Sequence, residues 1–140
     1  MAQFIGKWKG DGSSYTNYDA FAKASGIPDD LVEKFRTATT EMEFKKDGDF
    51  MLCDVKTSAG PDKVYKFKSG EEVSTTDPWG KAAKFTITVE SDTKMVEVNK
   101  SEMMDWKEMK MTREIQGGNK IIETAELPCG TKMTMEFSKV

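Results

Sequence analysis

The side chain that could do the most distinctive chemistry is an arginine inside an alternating segment. Residues 109–115 read MKMTREI, so Met109, Met111 and Ile115 would share one face of an extended strand. Arg113 falls on that same apolar face. Because a guanidinium in a dry core is costly unless it is paired, the pattern predicts that Arg113 faces either an internal cavity or an internal acid.

The composition removes most kinds of catalytic and metal site. The 140 residues contain no histidine, which is the commonest general base and a common metal ligand. Cys53 and Cys129 lie in unrelated contexts that do not make a zinc site. We expect both to be reduced thiols, and a single disulfide between them is the alternative. No phosphate-binding glycine loop or nucleophile motif occurs. We therefore expect a protein that is not an enzyme and uses neither a metal nor a cofactor.

Charge and hydropathy argue against two further functional classes, nucleic-acid-binding proteins and membrane-spanning proteins. The formal net charge is −3 with no basic run, so we expect no nucleic-acid binding. No apolar stretch approaches the length needed to span a membrane, and the N-terminus lacks the apolar core of a secretory signal. These features predict one cytoplasmic domain over residues 1–140. We also expect the protein to be a monomer.

Turn signals organise the chain after position 46. They recur about every 8–14 residues, which is typical of an antiparallel all-β protein. The predicted strands cover residues 5–14, 39–46, 49–57, 62–68, 71–75, 81–89, 94–99, 106–115, 119–126 and 131–139. So long a meander is expected to curl and close, which removes its edges. Barrels beyond about eight strands are too wide for side chains alone to fill, so an internal cavity is expected.

Residues 17–36 differ from the rest because their apolar side chains recur at helical spacing. Pro28, followed by two aspartates, suits the start of a second helix. The pattern predicts a helix-turn-helix whose apolar stripe covers the barrel mouth. That stripe comprises Tyr18, Phe21, Leu31, Val32 and Phe35. Transient membrane contact through this cap is an alternative role for the same stripe.

Several segments, taken in order, resemble one known family. They are FIGKWK, the helix pair, KDGD, FKSGEE followed by a TT pair, and TREIQGGNK. From Phe4 to Val140 the sequence is similar to the intracellular lipid-binding proteins of the calycin superfamily, which include the fatty-acid-binding and cellular retinoid-binding proteins. The resemblance implies a ten-stranded antiparallel β-barrel, or β-clam, capped by a helix-turn-helix. It also implies transport of a small hydrophobic ligand, a fatty acid or retinoid-like lipid, in the cavity.

The resemblance also points to site residues. The family holds a carboxylate with an arginine in the eighth strand and an Arg-x-Tyr pair in the last strand. Arg113 matches the first position, while Met135 and Phe137 stand at the other two. The weakened anion site leaves both a long-chain fatty acid and a neutral lipid open as ligands. The predicted ligand-binding residues are Arg113, Met135, Phe137, Met111, Met133, Tyr18 and Phe21.

Two tryptophans have different expectations. Trp8, in the GKW stretch, is expected to plug the barrel bottom, as the family's tryptophan does. Trp79 lies at a predicted turn, TDPWG. It is either a loop aromatic packed on a neighbouring strand or a residue of the ligand portal, and a phenylalanine common near that portal aligns here to Gly60.

Two other functional classes were weighed. GKW also fits a secreted lipocalin-type binder of small hydrophobic molecules. The helix pair, the missing signal and the lack of a disulfide framework argue against that alternative. An isomerase built on the same barrel would need a lysine or carboxylate constellation, and none is evident in the sequence.

Overall fold

The computed structural model describes residues 2–140, which form ten strands, two α-helices and three short 3-10 helices. The strands are β1 Gly6–Asp11, β2 Thr39–Asp47, β3 Phe50–Thr57, β4 Gly60–Phe67, β5 Glu72–Thr76, β6 Ala82–Ser91, β7 Lys94–Ser101, β8 Met109–Gln116, β9 Lys120–Glu126 and β10 Lys132–Lys139. The α-helices are α1 Tyr18–Ser25 and α2 Asp29–Arg36, and the 3-10 helices cover Ala2–Phe4, Gly12–Ser14 and Glu102–Met104. The expected helix-turn-helix between the first two strands is present.

All ten strands belong to one antiparallel sheet that wraps into a nearly closed barrel. Their order is β4-β3-β2-β1-β10-β9-β8-β7-β6-β5. Among residues 2–140 no hydrogen-bonded ladder joins β4 to β5, so the expected removal of both edges is wrong. The gap is crossed by side chains instead: the rings of Tyr65 on β4 and Phe85 on β6 meet edge to face at 5.7 Å.

Two strand boundaries differ from the sequence expectation for steric reasons. β1 ends at Asp11 instead of position 14, where the chain turns under α2. At Gly12 a Cβ would lie 1.9 Å from the carbonyl oxygen of Arg36, so only glycine fits there. β8 begins at Met109 instead of position 106, because Asp105 and Trp106 have φ values of 54° and 60° that a strand does not allow.

The barrel interior contains two separate clusters of buried side chains. The larger cluster packs around Trp8, which is fully buried and donates a hydrogen bond from Nε1 to the carbonyl of Phe4 at 2.9 Å. This confirms that Trp8 is structural. The smaller cluster contains Phe21 of α1 together with residues of β9 and the β7–β8 connection. The helices therefore close one end of the barrel and the N-terminal aromatic residues fill the other.

The two helices are tied to each other by polar contacts. The Tyr18 hydroxyl donates to the carbonyl of Val32 at 2.6 Å. Arg36 pairs with Asp19 at 2.6 Å and Glu33 at 3.3 Å, so one arginine holds both helices. Phe21 and Leu31 are buried, as expected for the stripe that faces the barrel. No helix in the described part of the chain is long and apolar enough to cross a membrane.

Candidate functional site

A mostly apolar cavity of about 170 Å³ lies between the helical cap and the inner faces of strands β8, β9 and β10. Its wall is built by alternation, since every second residue of these strands points inward. The lining residues are Tyr15, Tyr18, Phe21, Ala22, Ile27, Phe35, Met104, Met109, Met111, Glu123, Ala125, Met133 and Met135. Methionine side chains adapt to irregular apolar shapes, so this wall suits a flexible hydrocarbon ligand.

Five of the seven predicted site residues line this cavity. They are Met111, Met133 and Met135 on the strands, with Tyr18 and Phe21 on α1. Phe137 is not among the lining residues. It is 2% exposed in the cluster around Trp8 and touches the position where a Cβ on Gly10 would lie. Its register on β10 places Phe137 one layer below Met135, so it lies in this core cluster and not at the cavity wall.

Arg113 lies on the inner face of β8 and is held by two internal acids. Its Nε donates to Oε2 of Glu123 and its NH1 donates to Oε1 of Glu97, both at 2.9 Å. Its NH2 donates to the sulfur of Met111 at 3.0 Å. Only 12% of the Arg113 side chain and 13% of each glutamate side chain is exposed. Of the two expectations for Arg113, the structure supports the internally paired arginine, and Arg113 is not among the residues that line the cavity.

The charges in this cluster do not cancel. Burial opposes the charge of Arg113, but the carboxylates of Glu123 and Glu97 outweigh that effect and raise its pKa further above the usual value. Two carboxylates surround one guanidinium, so the cluster carries one excess formal negative charge. Asn99 supports it by donating from Nδ2 to Oε2 of Glu97 at 2.8 Å.

Sequence reasoning missed the two glutamates and Tyr15. In KIIETAE, Glu123 stands between the inward Ile121 and Ala125, which is the same signal that singled out Arg113. Glu97 gave a weaker signal because both faces of this segment carry apolar residues: Met95 shares a face with Glu97, and Val96 and Val98 share the other. Only the strand register identifies which face of β7 turns inward.

Trp79 lies at the junction between the cap and the barrel rim. Its ring meets Phe35 of α2 edge to face at 5.4 Å. A Cβ on Gly60 would lie 2.8 Å from the same ring, so Trp79 fills the space in front of the first residue of β4. Since Phe35 also lines the cavity, this position favours the portal expectation for Trp79.

The cysteines are both free, as expected. Cys53 is buried, and burial raises the pKa of its thiol to about 12. Cys129 is exposed, and a hydrogen bond with Thr131 lowers the pKa of its thiol. Neither residue is part of the cavity lining.

Comparison with known sequences decides the family. Residues 1–136 match the lipocalin / cytosolic fatty-acid binding protein family. The chain belongs to this family. Fatty acid-binding protein 1 of Fasciola gigantica is 36% identical over 98 residues, which cover 70% of this chain and 72% of that protein. Gastrotropin of Oryctolagus cuniculus is 34% identical over 87 residues, which cover 62% and 66% of the two chains.

Solved structures share the same fold. A Schistosoma mansoni fatty acid binding protein in complex with arachidonic acid superposes with a TM-score of 0.87 at 22% identity, covering 100% of this chain and 98% of that one. Secretory abundant heat soluble protein 4 from Ramazzottius varieornatus has a TM-score of 0.85 at 20% identity, covering 99% and 95%. The family and these structures confirm the predicted capped ten-stranded barrel, and the family assignment confirms a non-enzymatic lipid-binding protein.

Proposed function

We propose that this protein is a cytosolic carrier that holds one single-chain lipid, such as a long-chain fatty acid, inside the barrel. The observation that carries the proposal is the methionine-rich and aromatic cavity between strands β8–β10 and the cap. Support also comes from the relatives named fatty acid-binding proteins and from the solved complex of such a protein with arachidonic acid. The cytosolic location is supported by the family description, which names cytosolic fatty-acid binding proteins. The monomeric state is a further part of the proposal.

Burial of the hydrocarbon chain supplies most of the affinity in this proposal. Each CH₂ removed from water contributes about 0.8 kcal/mol, which is about a fourfold gain in affinity per carbon. Entry and exit require the cap to separate from the barrel rim, where Phe35 and Trp79 meet. Membrane contact during that opening would involve the cap helices.

The test is calorimetric titration of the delipidated protein with saturated fatty acids of increasing length, with retinol as a separate arm. Affinity should rise with each CH₂ until the cavity is filled, and the heat-capacity change should be negative because apolar surface is buried. Size-exclusion chromatography of the same samples should give a monomer. Affinity that is independent of chain length would contradict the proposed burial mechanism.

A cavity-filling variant supplies the matched control. Ala125 is buried and lines the cavity, whereas Thr124, the residue before it on β9, points to the outer face. Ala125→Phe should lower fatty-acid affinity at least about tenfold. The added ring would occupy space in the cavity, and two or more CH₂ groups of the ligand would lose their contacts there. Thr124→Phe should leave affinity within about twofold. Circular dichroism of both variants separates lost binding from lost folding.

A further inference from the structure

We propose that the cavity selects lipids whose polar end donates a hydrogen bond, such as an alcohol or an amine, over lipids that end in a carboxylate. This inference rests on the proposed function, since it concerns the head group of a ligand held in the same cavity. It is carried by the way Glu123, Arg113 and Met135 are arranged at the cavity wall.

Glu123 is the one charged residue among the lining residues that the structure describes. Its Oε2 accepts from Nε of Arg113 at 2.9 Å. Its other oxygen, Oε1, accepts no hydrogen bond from any residue in the range 2–140. Every fully buried side-chain polar atom in that range has a hydrogen-bond partner, so Oε1 is not fully buried. Oε1 is therefore an accessible carboxylate acceptor at an otherwise apolar wall, and it suits a ligand group that carries a hydrogen.

The cation that would hold a ligand carboxylate is already engaged. Three of the five N–H groups of the Arg113 guanidinium, one on each nitrogen, donate to protein acceptors: the two glutamates and the sulfur of Met111. Arg113 follows the cavity-lining Met109 and Met111 on the inner face of β8 but is not itself among the lining residues, whereas Glu123 is. A ligand carboxylate would therefore meet the acid before it met the base.

No second cation compensates at the neighbouring position. Met135 pairs with Glu123 across the β9–β10 ladder and is buried at the same wall. A carboxylate placed there would lose its hydration, gain no ion pair, and lie beside a like charge, which is strongly unfavourable. An amine in the same place would form a charge-assisted hydrogen bond, and an alcohol would form one to an ionised acceptor.

The two tyrosines of the wall do not reverse this preference. The hydroxyl of Tyr18 already donates to the carbonyl of Val32. Tyr15 keeps its proton because burial raises its pKa to about 12, and a neutral hydroxyl can donate to an acid or accept from an alcohol. Tyr15 therefore accommodates either head group, and Glu123 decides between them.

The experiment compares four ligands that share one hydrocarbon chain: oleic acid, oleyl alcohol, oleylamine and methyl oleate. Binding of each below its aggregation concentration is measured by calorimetry at neutral pH. The amine and the alcohol should bind at least about tenfold more tightly than the acid, the factor expected from one hydrogen bond to a charged group. The ester, which has no donor, should bind more weakly than the alcohol.

Two isosteric variants locate the effect. Glu123→Gln removes the charged acceptor from the cavity wall and should shift the acid-to-alcohol affinity ratio toward the acid by about tenfold. Glu97→Gln removes the same charge from the same cluster at a residue that does not line the cavity, and it should shift that ratio by no more than about threefold. Thermal unfolding of each variant verifies that the barrel still folds when Arg113 is paired with only one glutamate.

The outcomes separate the two proposals. If the unmodified protein binds the acid most tightly, or Glu123→Gln leaves the order of ligands unchanged, the head-group inference fails and the carrier function stands. If both variants shift the acid-to-alcohol affinity ratio equally, direct contact between the ligand and Glu123 is not the cause of the selectivity. If none of the four lipids binds, the proposed function fails, and the head-group inference fails with it.

Discussion

Replacing Arg113 by glutamine should destabilise the barrel strongly. The side chain is 12% exposed and pairs at 2.9 Å with two glutamates that are each 13% exposed. Removing one partner from a buried ion pair leaves charge without compensation and costs about 3–5 kcal/mol. Here two carboxylates would be left facing each other, so the cost should reach the upper part of that range. Domains of this size are stable by about 5–15 kcal/mol, so the loss is a large share of the total.

Urea unfolding at neutral pH, followed by tryptophan fluorescence, measures this cost. The chain has three tryptophans, and because Trp8 is fully buried in the barrel core, the combined emission changes when the barrel unfolds. Lys94→Gln is the matched control on the neighbouring strand, since Lys94 pairs with Glu114 at 3.7 Å but is 41% exposed. Exposed pairs contribute at most about 1 kcal/mol, so this variant should unfold close to the unmodified protein.

A compensating variant distinguishes uncompensated charge from lost packing. Arg113→Met combined with Glu97→Leu and Glu123→Leu replaces the whole charged cluster by apolar side chains of similar volume. Because replacing a complete buried ion cluster is often neutral or stabilising, most of the lost stability should return. A loss below about 1 kcal/mol for Arg113→Gln alone, or no recovery in the combined variant, would refute the buried-pair explanation.

Three further predictions concern the cavity, its rim and the thiols. Met135→Arg places a cation opposite Glu123 in the ladder; it should raise oleic acid affinity and lower oleylamine affinity, each by about tenfold in calorimetry, and unchanged affinities would contradict it. Trp79→Ala removes the ring contact with Phe35 and should accelerate ligand transfer to acceptor vesicles several-fold in stopped-flow fluorescence, whereas an unchanged rate would place the portal elsewhere. Cys129 has an exposed thiol with a lowered pKa, so it should react with a disulfide reagent in the native protein. Cys53 is buried and has a pKa of about 12, so it should react only in denaturant. Two fast-reacting thiols in the native protein would contradict this prediction.

Local patterns were sufficient to predict the elements of this fold. Alternation and recurring turns predicted ten strands; nine of them begin within two residues of the predicted position, and β8 begins three residues later, at Met109. The strands and the two helices were predicted because side-chain period and turn chemistry are properties of short segments. The same period-two pattern placed Arg113 on an inner face before any tertiary contact was known.

The partners of Arg113 were decided by the tertiary structure alone. Glu123 lies 10 residues away on β9 and Glu97 lies 16 residues away on β7, and only the registers of both ladders bring their carboxylates to one guanidinium. Period two identifies two faces of a strand but not which one turns inward when both carry apolar residues, as they do on β7. The sequence therefore determined that a charge enters the barrel, and strand pairing determined that an acid, not the arginine, faces the cavity.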